Sequence, residues 1–329
     1  MIDFFQLGKI IEENNSFLLT THVNPDADAI GSEIALYFML KEMNKKVYII
    51  NHSQTPYNLK FLDVDNKIEK YEPLIHSELF NNIDVIVAVD FNRADRTVSM
   101  KEKLDKVKGI KICIDHHQDP EDFVDYKFVD QNYCATGHII YDLIIKTNLV
   151  LLNHQTAYPI YAAIMTDTGS FRFERTTSEI HLIAAELLRH NVRPNEVFDR
   201  IYDQSKFSKI KLMGRALNTM KLYGKYNQIG YMVLTQEDFI STEAFESDTD
   251  SFVNYSLSVE GVKIGILFIE LKEGFKVSFR SKGNIPVNQL AAEFNGGGHI
   301  NASGARIFDS NITEMIPIIL YKAEKYLNY

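Results

Sequence analysis

The residues best suited to chemistry in this chain are carboxylates and imidazoles that arrive in short clusters. His22, Asp26 and Asp28 share one segment, Thr21-His22-Val23-Asn24-Pro25-Asp26-Ala27-Asp28, with Gly31-Ser32 just beyond it. Asp90 follows an apolar run, Asp115-His116-His117 are consecutive, and Asp167 lies in Thr166-Asp167-Thr168-Gly169. Ionised carboxylates brought together repel, and a cation removes that penalty. Carboxylate with imidazole suits Mn²⁺, Fe²⁺ or Co²⁺, whereas Mg²⁺ accepts fewer imidazoles. Two metals about 3.5–4 Å apart need a bridging carboxylate, and a water between them becomes hydroxide near neutral pH, the expected nucleophile. Asp26 and Asp28 stand two apart on a loop, so one can face each ion.

Parallel strands are the elements that would bring these clusters together. Ser16–Thr21, Lys46–Ile50, Asp84–Val89 and Gly109–Ile114 read as strands, and all but the second run into an ionisable cluster at the carboxyl end. In open parallel sheets ligands bind outside those ends. Ala29–Met43 has helical spacing, Thr136 reads as the cap of a helix through Ile145, and Ala157–Met165 reads as a helix entered near Pro159. From Pro194 to Tyr223 the pattern is helical and basic. Beyond it Gln228–Leu234, Gly261–Leu271, Phe275–Arg280 and Ala302–Ile307 read as strands, with helices over Ile285–Phe294 and Asn311–Leu327. The expectation is an α/β fold: a parallel-sheet metal-binding domain over residues 1–193, a helical connector over 194–224, and a smaller α/β substrate-binding domain over 225–329.

Composition narrows the function. The chain has 329 residues, 45% hydrophobic and 24% charged, which is ordinary for a globular protein. Its apolar runs are strand length, so no membrane span is expected. The start lacks the basic and apolar regions of a secretion signal. Two cysteines, Cys113 and Cys134, are too few for a disulfide framework, and the expected setting is the cytoplasm. A net charge of −9 argues against a nonspecific duplex-DNA binder, which needs a basic excess.

Taken in order, His22-x3-Asp26-x-Asp28-x2-Gly31-Ser32, Asp90, Asp115-His116-His117 and Asp167-Thr168-Gly169 resemble the motifs of the DHH phosphoesterase family. Gly296-Gly297-Gly298-His299-x2-Ala302-Ser303-Gly304 resembles the glycine-rich motif of the DHH-associated C-terminal domain. The resemblance covers nearly the whole chain, and its layout looks like the nanoRNase group. Members of that group hydrolyse short oligoribonucleotides, and many dephosphorylate 3′-phosphoadenosine 5′-phosphate. It implies that His22, Asp26 and Asp90 hold one metal, and that Asp28, Asp90, His116 and Asp167 hold the other, with Asp90 bridging. The implied cofactor is a pair of divalent ions, Mn²⁺ first, with Mg²⁺ or Co²⁺ as alternatives. His117 then faces the scissile phosphate as a catalytic group, and Asp115 orients an imidazole. The reading of His117 as a third metal ligand stays open. His138 departs from the pattern, since the family often has Glu there.

Arg96 and Arg172 match arginines that could neutralise substrate phosphates, and Arg280 resembles the family's substrate arginine. Three successive glycines permit close approach of a ligand to Gly296, Gly297 and Gly298, whose N–H groups could form an anion nest, and His299 could meet base or phosphate. The expected reaction removes 5′-mononucleotides from short single strands, with the C-terminal domain clamping the distal nucleotide. The expected partners are short oligonucleotides or small nucleotide phosphates, and a homodimer is left open. Competing readings are a cyclic or linear diadenylate phosphodiesterase, an inorganic pyrophosphatase, a RecJ-like exonuclease and an inactive nucleotide sensor.

Overall fold

Continuous β-branched runs such as Val85-Ile86-Val87-Ala88-Val89 have no polar face, so they are stable only when covered on both sides. The computed structural model describes residues 1–308 and 310–327; Asp309, Asn328 and Tyr329, which fall in the predicted C-terminal domain, lie outside the described residues. The chain forms two compact units, Met1–Gln204 and Ser205–Tyr329.

The first unit contains α1 (Phe4–Glu13), β1 (Ser16–Thr20), α2 (Ala27–Glu42), β2 (Lys46–Asn51), β3 (Ile68–Lys70), α3 (Pro73–Asn82) and β4 (Val85–Val89). It continues through α4 (Lys101–Lys106), β5 (Ile110–Asp115), β6 (Tyr126–Val129), α5 (Thr136–Thr147), α6 (His154–Asp167), α7 (Ser178–Leu188) and α8 (Pro194–Tyr202). Its strands make a parallel six-stranded sheet in the order β3-β2-β1-β4-β5-β6. The order reverses between β1 and β4, the kind of crevice where such sheets bind ligands. Phe17, Leu19, Val87 and Ile114 pack with the helices α1, α2, α5 and α6. Leu18, Ile50 and Ile86 pack on the opposite face with Phe80, Met100 and Leu104.

The second unit contains α9 (Phe207–Asn218), β7 (Lys221–Tyr223), β8 (Ile229–Leu234), α10 (Gln236–Thr242), α11 (Val253–Leu257) and β9 (Ile264–Glu270). It ends with β10 (Phe275–Ser281), α12 (Val287–Ala292), β11 (Gly297–His299), β12 (Ala302–Ile307) and α13 (Ile312–Lys325). Its mixed sheet has the order β11-β12-β10-β9-β8-β7, parallel only between β8 and β9.

Three expectations are corrected. Thr136 is the first helical residue of α5 and not its cap; Ala135 takes the cap position, and the Thr136 hydroxyl bonds Asp90 instead. Pro159 lies inside α6, which starts at His154 behind an Asn153 capping box. The glycine-rich turn is in part a strand, because Gly297–His299 pairs with β12.

Candidate active site

Each cluster reaches the crevice by a different local device. β1 ends at Thr20, and Thr21 is pinned on both sides: its N–H donates to Asn51 Oδ1 (3.0 Å) and its hydroxyl to the Val89 carbonyl (2.7 Å). His22 follows. Its Nδ1 lies 2.9 Å from the Val23 carbonyl, which turns Nε2 to within 3.5 Å of Asp90 Oδ2. Asp26 caps α2, accepting from the N–H groups of Asp28 and Ala29 at 3.0 Å.

Asp28, 1% exposed, lies in the first turn of α2. It accepts from the N–H groups of Thr136 (2.7 Å) and Gly137 (2.9 Å) and from the Ser32 hydroxyl (3.1 Å). The helices come this close because Gly31 and Gly137 lack side chains. A Cβ on Gly31 would sit 2.5 Å from the Pro159 carbonyl, and one on Gly137 would sit 2.4 Å from the Ala163 Cβ. The Gly31-Ser32 pair therefore seats α2 and fixes Asp28. That packing also brings in Asp167 at the end of α6.

Asp90 leaves β4 in a left-handed conformation, φ 64°, which few non-glycine residues adopt. It is 2% exposed and accepts from the Thr136 hydroxyl at 2.8 Å. His116 leaves β5 with Nδ1 3.3 Å from the Tyr133 carbonyl. Its Nε2 faces Asp167 Oδ2 at 3.2 Å, Asp28 Oδ2 at 3.6 Å and Asp90 Oδ1 at 3.7 Å. Among the described residues this buried nitrogen has no hydrogen-bond partner. His117 is half exposed; its Nδ1 lies 2.7 Å from Asp115 Oδ1 and 3.8 Å from Asp90 Oδ1, and Asp115 is fully buried.

The electrostatics follow from this crowding. Burial, then Asp167, push the Asp28 carboxyl up to about 7. Burial, then Asp28 and Asp26, hold Asp90 well above the ordinary carboxylate range. Burial lowers the His22 imidazole. Burial acts the same way on His116, but Asp167 and Asp28 outweigh it and raise the ring to about 9. The cluster without metal therefore takes up protons to relieve its own charge, and a divalent cation serves the same need.

Among the described residues there are three sets whose ligand atoms lie within 4.8 Å of one another inside each set: His22, Asp26 and Asp90; Asp28, His116 and Asp167; and Asp90, His116 and His117. Asp90 belongs to two of them. The buried His116 Nε2 facing three carboxylates is the donor set that a metal such as Mn²⁺ fits. The third set keeps His117 geometrically eligible as a ligand.

The remaining predicted residues fall in both units. Arg96 is exposed, and its carbonyl accepts the Val23 N–H (2.8 Å), which places it beside the His22 loop. Arg172 is exposed and bonds the Gly169 carbonyl through Nε (2.7 Å). His138 is buried against Tyr133, ring centroids 4.5 Å apart, and it is not in any of the three sets. In the second unit Arg280 and His299 both pair with Ala302, so they share one row and one face of the sheet. The next row on that face is Ser278, Gly304 and Gly297. A Cβ on Gly296 would sit 2.2 Å from the Gly304 carbonyl, and one on Gly298 would sit 2.5 Å from the Ala302 carbonyl. Those two glycines answer to sheet packing, whereas the space beside Gly297 is open. Thr136 and Tyr133 are the site residues that sequence reasoning missed; one acts by a hydroxyl inside a helix and the other by its backbone carbonyl.

Residues 16–165 match the DHH family, N-terminal domain, and residues 230–328 match the DHHA1 domain. The chain is similar to the bifunctional oligoribonuclease and PAP phosphatase NrnA of Thermus thermophilus, 33% identical over 88% of this chain and 83% of that protein. It is 30% identical to the NrnA protein of Bacillus subtilis, over 92% of this chain and 93% of that one. An exopolyphosphatase-related protein from Bacteroides fragilis has the same fold, with TM-score 0.92 and 33% identity over 98% of this chain and 96% of that chain.

Proposed function

The chain belongs to the DHH phosphoesterase family and is a metal-dependent phosphoesterase, and from that premise we propose that it hydrolyses short single-stranded oligonucleotides to 5′-mononucleotides and removes phosphate from 3′-phosphoadenosine 5′-phosphate. The names of the NrnA relatives support this choice of substrate. In this reading His22, Asp26 and Asp90 hold one divalent ion, and Asp28, Asp90, His116 and Asp167 hold a second, Mn²⁺ in both cases. The observation that carries it is the buried His116 Nε2, ringed by three carboxylates at 3.2–3.7 Å with no well-aligned hydrogen bond to any of them. When bound, the ions supply Lewis acidity and an acidified water to attack phosphorus.

The protein's own groups do the rest. Asp115 fixes the tautomer and tilt of His117, which presents Nε2 to the phosphate and protonates the departing oxygen. Arg96 and Arg172 neutralise phosphate charge. Arg280, His299 and the glycine motif, where Gly297 offers open backbone, hold the nucleotide. The acidic chain excludes duplex DNA, and the cytoplasm is its setting. Among the described residues no helix is long and apolar enough to cross a membrane.

The test is a product time course on 5′-labelled di- to decanucleotides with Mn²⁺, run beside 3′-phosphoadenosine 5′-phosphate and cyclic diadenylate. Dinucleotides should turn over fastest, and activity should vanish after metal stripping in excess EDTA. Full hydrolysis by stripped protein would overturn the two-metal reading, and a clear preference for cyclic diadenylate would overturn the substrate.

A further inference from the structure

Glu33 lies on α2 with no exposed surface, and the chemistry described above does not use it. A carboxylate is costly to bury unless its oxygens are bonded. One oxygen, Oε2, accepts from Asn51 Nδ2 at 2.8 Å, and among the described residues the other, Oε1, has no hydrogen-bond partner. Asn51 is fully buried as well. It is the last residue of β2, and its carbonyl accepts the Tyr71 N–H at 2.8 Å. Its side-chain oxygen faces the end of β1, accepting from the Thr21 N–H at 3.0 Å and from the Thr20 hydroxyl at 3.4 Å.

These bonds hold the Asn51 amide in one sense. Donors face its oxygen and an acceptor faces its NH₂, so a flipped amide would bring NH₂ against the Thr21 N–H. Glu33 supplies the acceptor. With an apolar residue at 33 the buried NH₂ would be left unbonded, and relieving it would move the amide off Thr21. The next residue along the chain is His22, which hangs between two anchored neighbours. On one side Thr21 is held by Asn51 and by the Val89 carbonyl (2.7 Å); on the other, the Val23 N–H donates to the Arg96 carbonyl (2.8 Å). Consecutive residues of α2 thus serve different parts of the cluster: Ser32 bonds Asp28 at 3.1 Å, and Glu33 reaches the His22 segment through Asn51.

We propose that Asn51 and Glu33 are positioning residues for the metal ion held by His22, Asp26 and Asp90: Glu33 orients the Asn51 amide, and the amide holds Thr21 and so the imidazole that follows it. The proposal rests on the two-metal reading of the site. An imidazole aimed by its backbone needs that backbone fixed, and partners outside the ligand set tune metal affinity by orienting the ligands. The effect is confined to one ion, because the Asp28 and His116 side is held by other bonds, from Ser32, from the Thr136 and Gly137 N–H groups and to the Tyr133 carbonyl.

The test titrates Mn²⁺ into metal-free protein, with the free ion read by electron paramagnetic resonance. Wild type should bind two ions. Glu33→Met, apolar and of similar length, should weaken one site about 10- to 100-fold and leave the other at wild-type affinity. Glu33→Gln keeps an acceptor for Asn51 and should stay close to wild type. Asn51→Ala should weaken the same site, and the Glu33→Met/Asn51→Ala double variant should bind no more weakly than Asn51→Ala alone, because Glu33 acts through Asn51. In metal-free protein at pH 6 the Thr21 amide should exchange faster in Glu33→Met than in wild type. Equal weakening of both sites would overturn the proposal, by making Glu33 a support for α2 as a whole, and so would wild-type affinity at both. Further loss in the double variant would overturn it too, by giving Glu33 another route. If Glu33→Met does not fold, Asn51→Ala makes the same one-site test of the pair. Wild-type protein that binds fewer than two ions would sink the two-metal reading instead, and Thr21 exchange would still judge Asn51 and Glu33.

Discussion

The two units keep their charged groups in opposite places. The first buries Asp28, Glu33, Asp63, Asp90, Asp115 and Asp142, whereas among the described residues the second buries one carboxylate, Asp248. The first unit's candidate groups converge from β1, β4, β5 and α6 and lean on one another through Thr136, Ser32 and the Tyr133 carbonyl. The second unit's candidates, Arg280 on β10 and Gly297 and His299 on β11, lie either side of β12 on one sheet face. Interdependent buried charge is what a metal centre requires. An accessible cation beside bare backbone is what binding a phosphate-linked ligand requires. In the proposed function, this difference goes with chemistry in the first unit and holding in the second.

The largest effect should come from the residue on which the first unit most depends. Asp90→Ala removes the one carboxylate that, among the described residues, belongs to two of the ligand sets. It should lose both ions and lower kcat/KM by about 10⁴-fold on every phosphoester, the scale seen when an essential catalytic group is removed. Metal analysis of the purified variant checks this. Two ions retained at near-full occupancy would show that Asp90 does not bridge and that the first unit is less interdependent than argued.

Next in size is a change in the second unit that should act on only some substrates. Arg280→Ala should reduce kcat/KM on dinucleotides about 30- to 1000-fold through a lost charged contact. It should change bis-p-nitrophenyl phosphate hydrolysis far less, because that ester has no nucleotide to hold. Gly297→Val should behave alike, since its Cβ has room in the sheet and would block only a ligand. Equal losses on both substrates would erase the division of labour between the units.

Much of the first unit's cluster is legible in the sequence. Parallel strands buried on both faces read as unbroken apolar runs, so the polar residue that ends each run stands out, and His22, Asp90 and Asp115 were found that way. The short strands β3 and β6 were not foreseen, because Ile68–Lys70 and Tyr126–Val129 are sheet edges with few buried residues. Thr136 was misread because threonine favours helix caps, and nothing local reveals that its hydroxyl is drawn to a carboxylate 46 residues away. The glycine run reads either as a ligand nest or as a helix stop through Asn295 and Gly296; the structure has the stop, with Asn295 left-handed and the Gly296 N–H on the Ala291 carbonyl, and close packing on β12 accounts for Gly298 as well.

The smallest effect isolates what burying charge does to the first unit. Glu33 is fully buried on α2, accepts from Asn51 Nδ2 at 2.8 Å, and touches none of the proposed metal ligands. Its other oxygen has no partner, and burial pushes the carboxyl from 4.5 up to about 8. The folded state therefore holds a proton that the unfolded chain releases near pH 4.5. Between that pH and about 8 folding takes up a proton, so stability falls as pH rises, by at most about 1.4 kcal/mol per unit. Glu33→Gln keeps an acceptor for Asn51 and cannot ionise, so this slope should disappear. Hydrogen exchange on metal-free protein at pH 6 and pH 8.5, corrected for intrinsic exchange rates, reads the two units separately. The variant should be more protected than wild type in β1 and β2 at the higher pH, near parity at the lower, and unchanged in β9 and β10. The same pH-dependent loss in variant and wild type would mean that the first unit's sensitivity comes from the metal cluster alone, and that Glu33 is ionised in place.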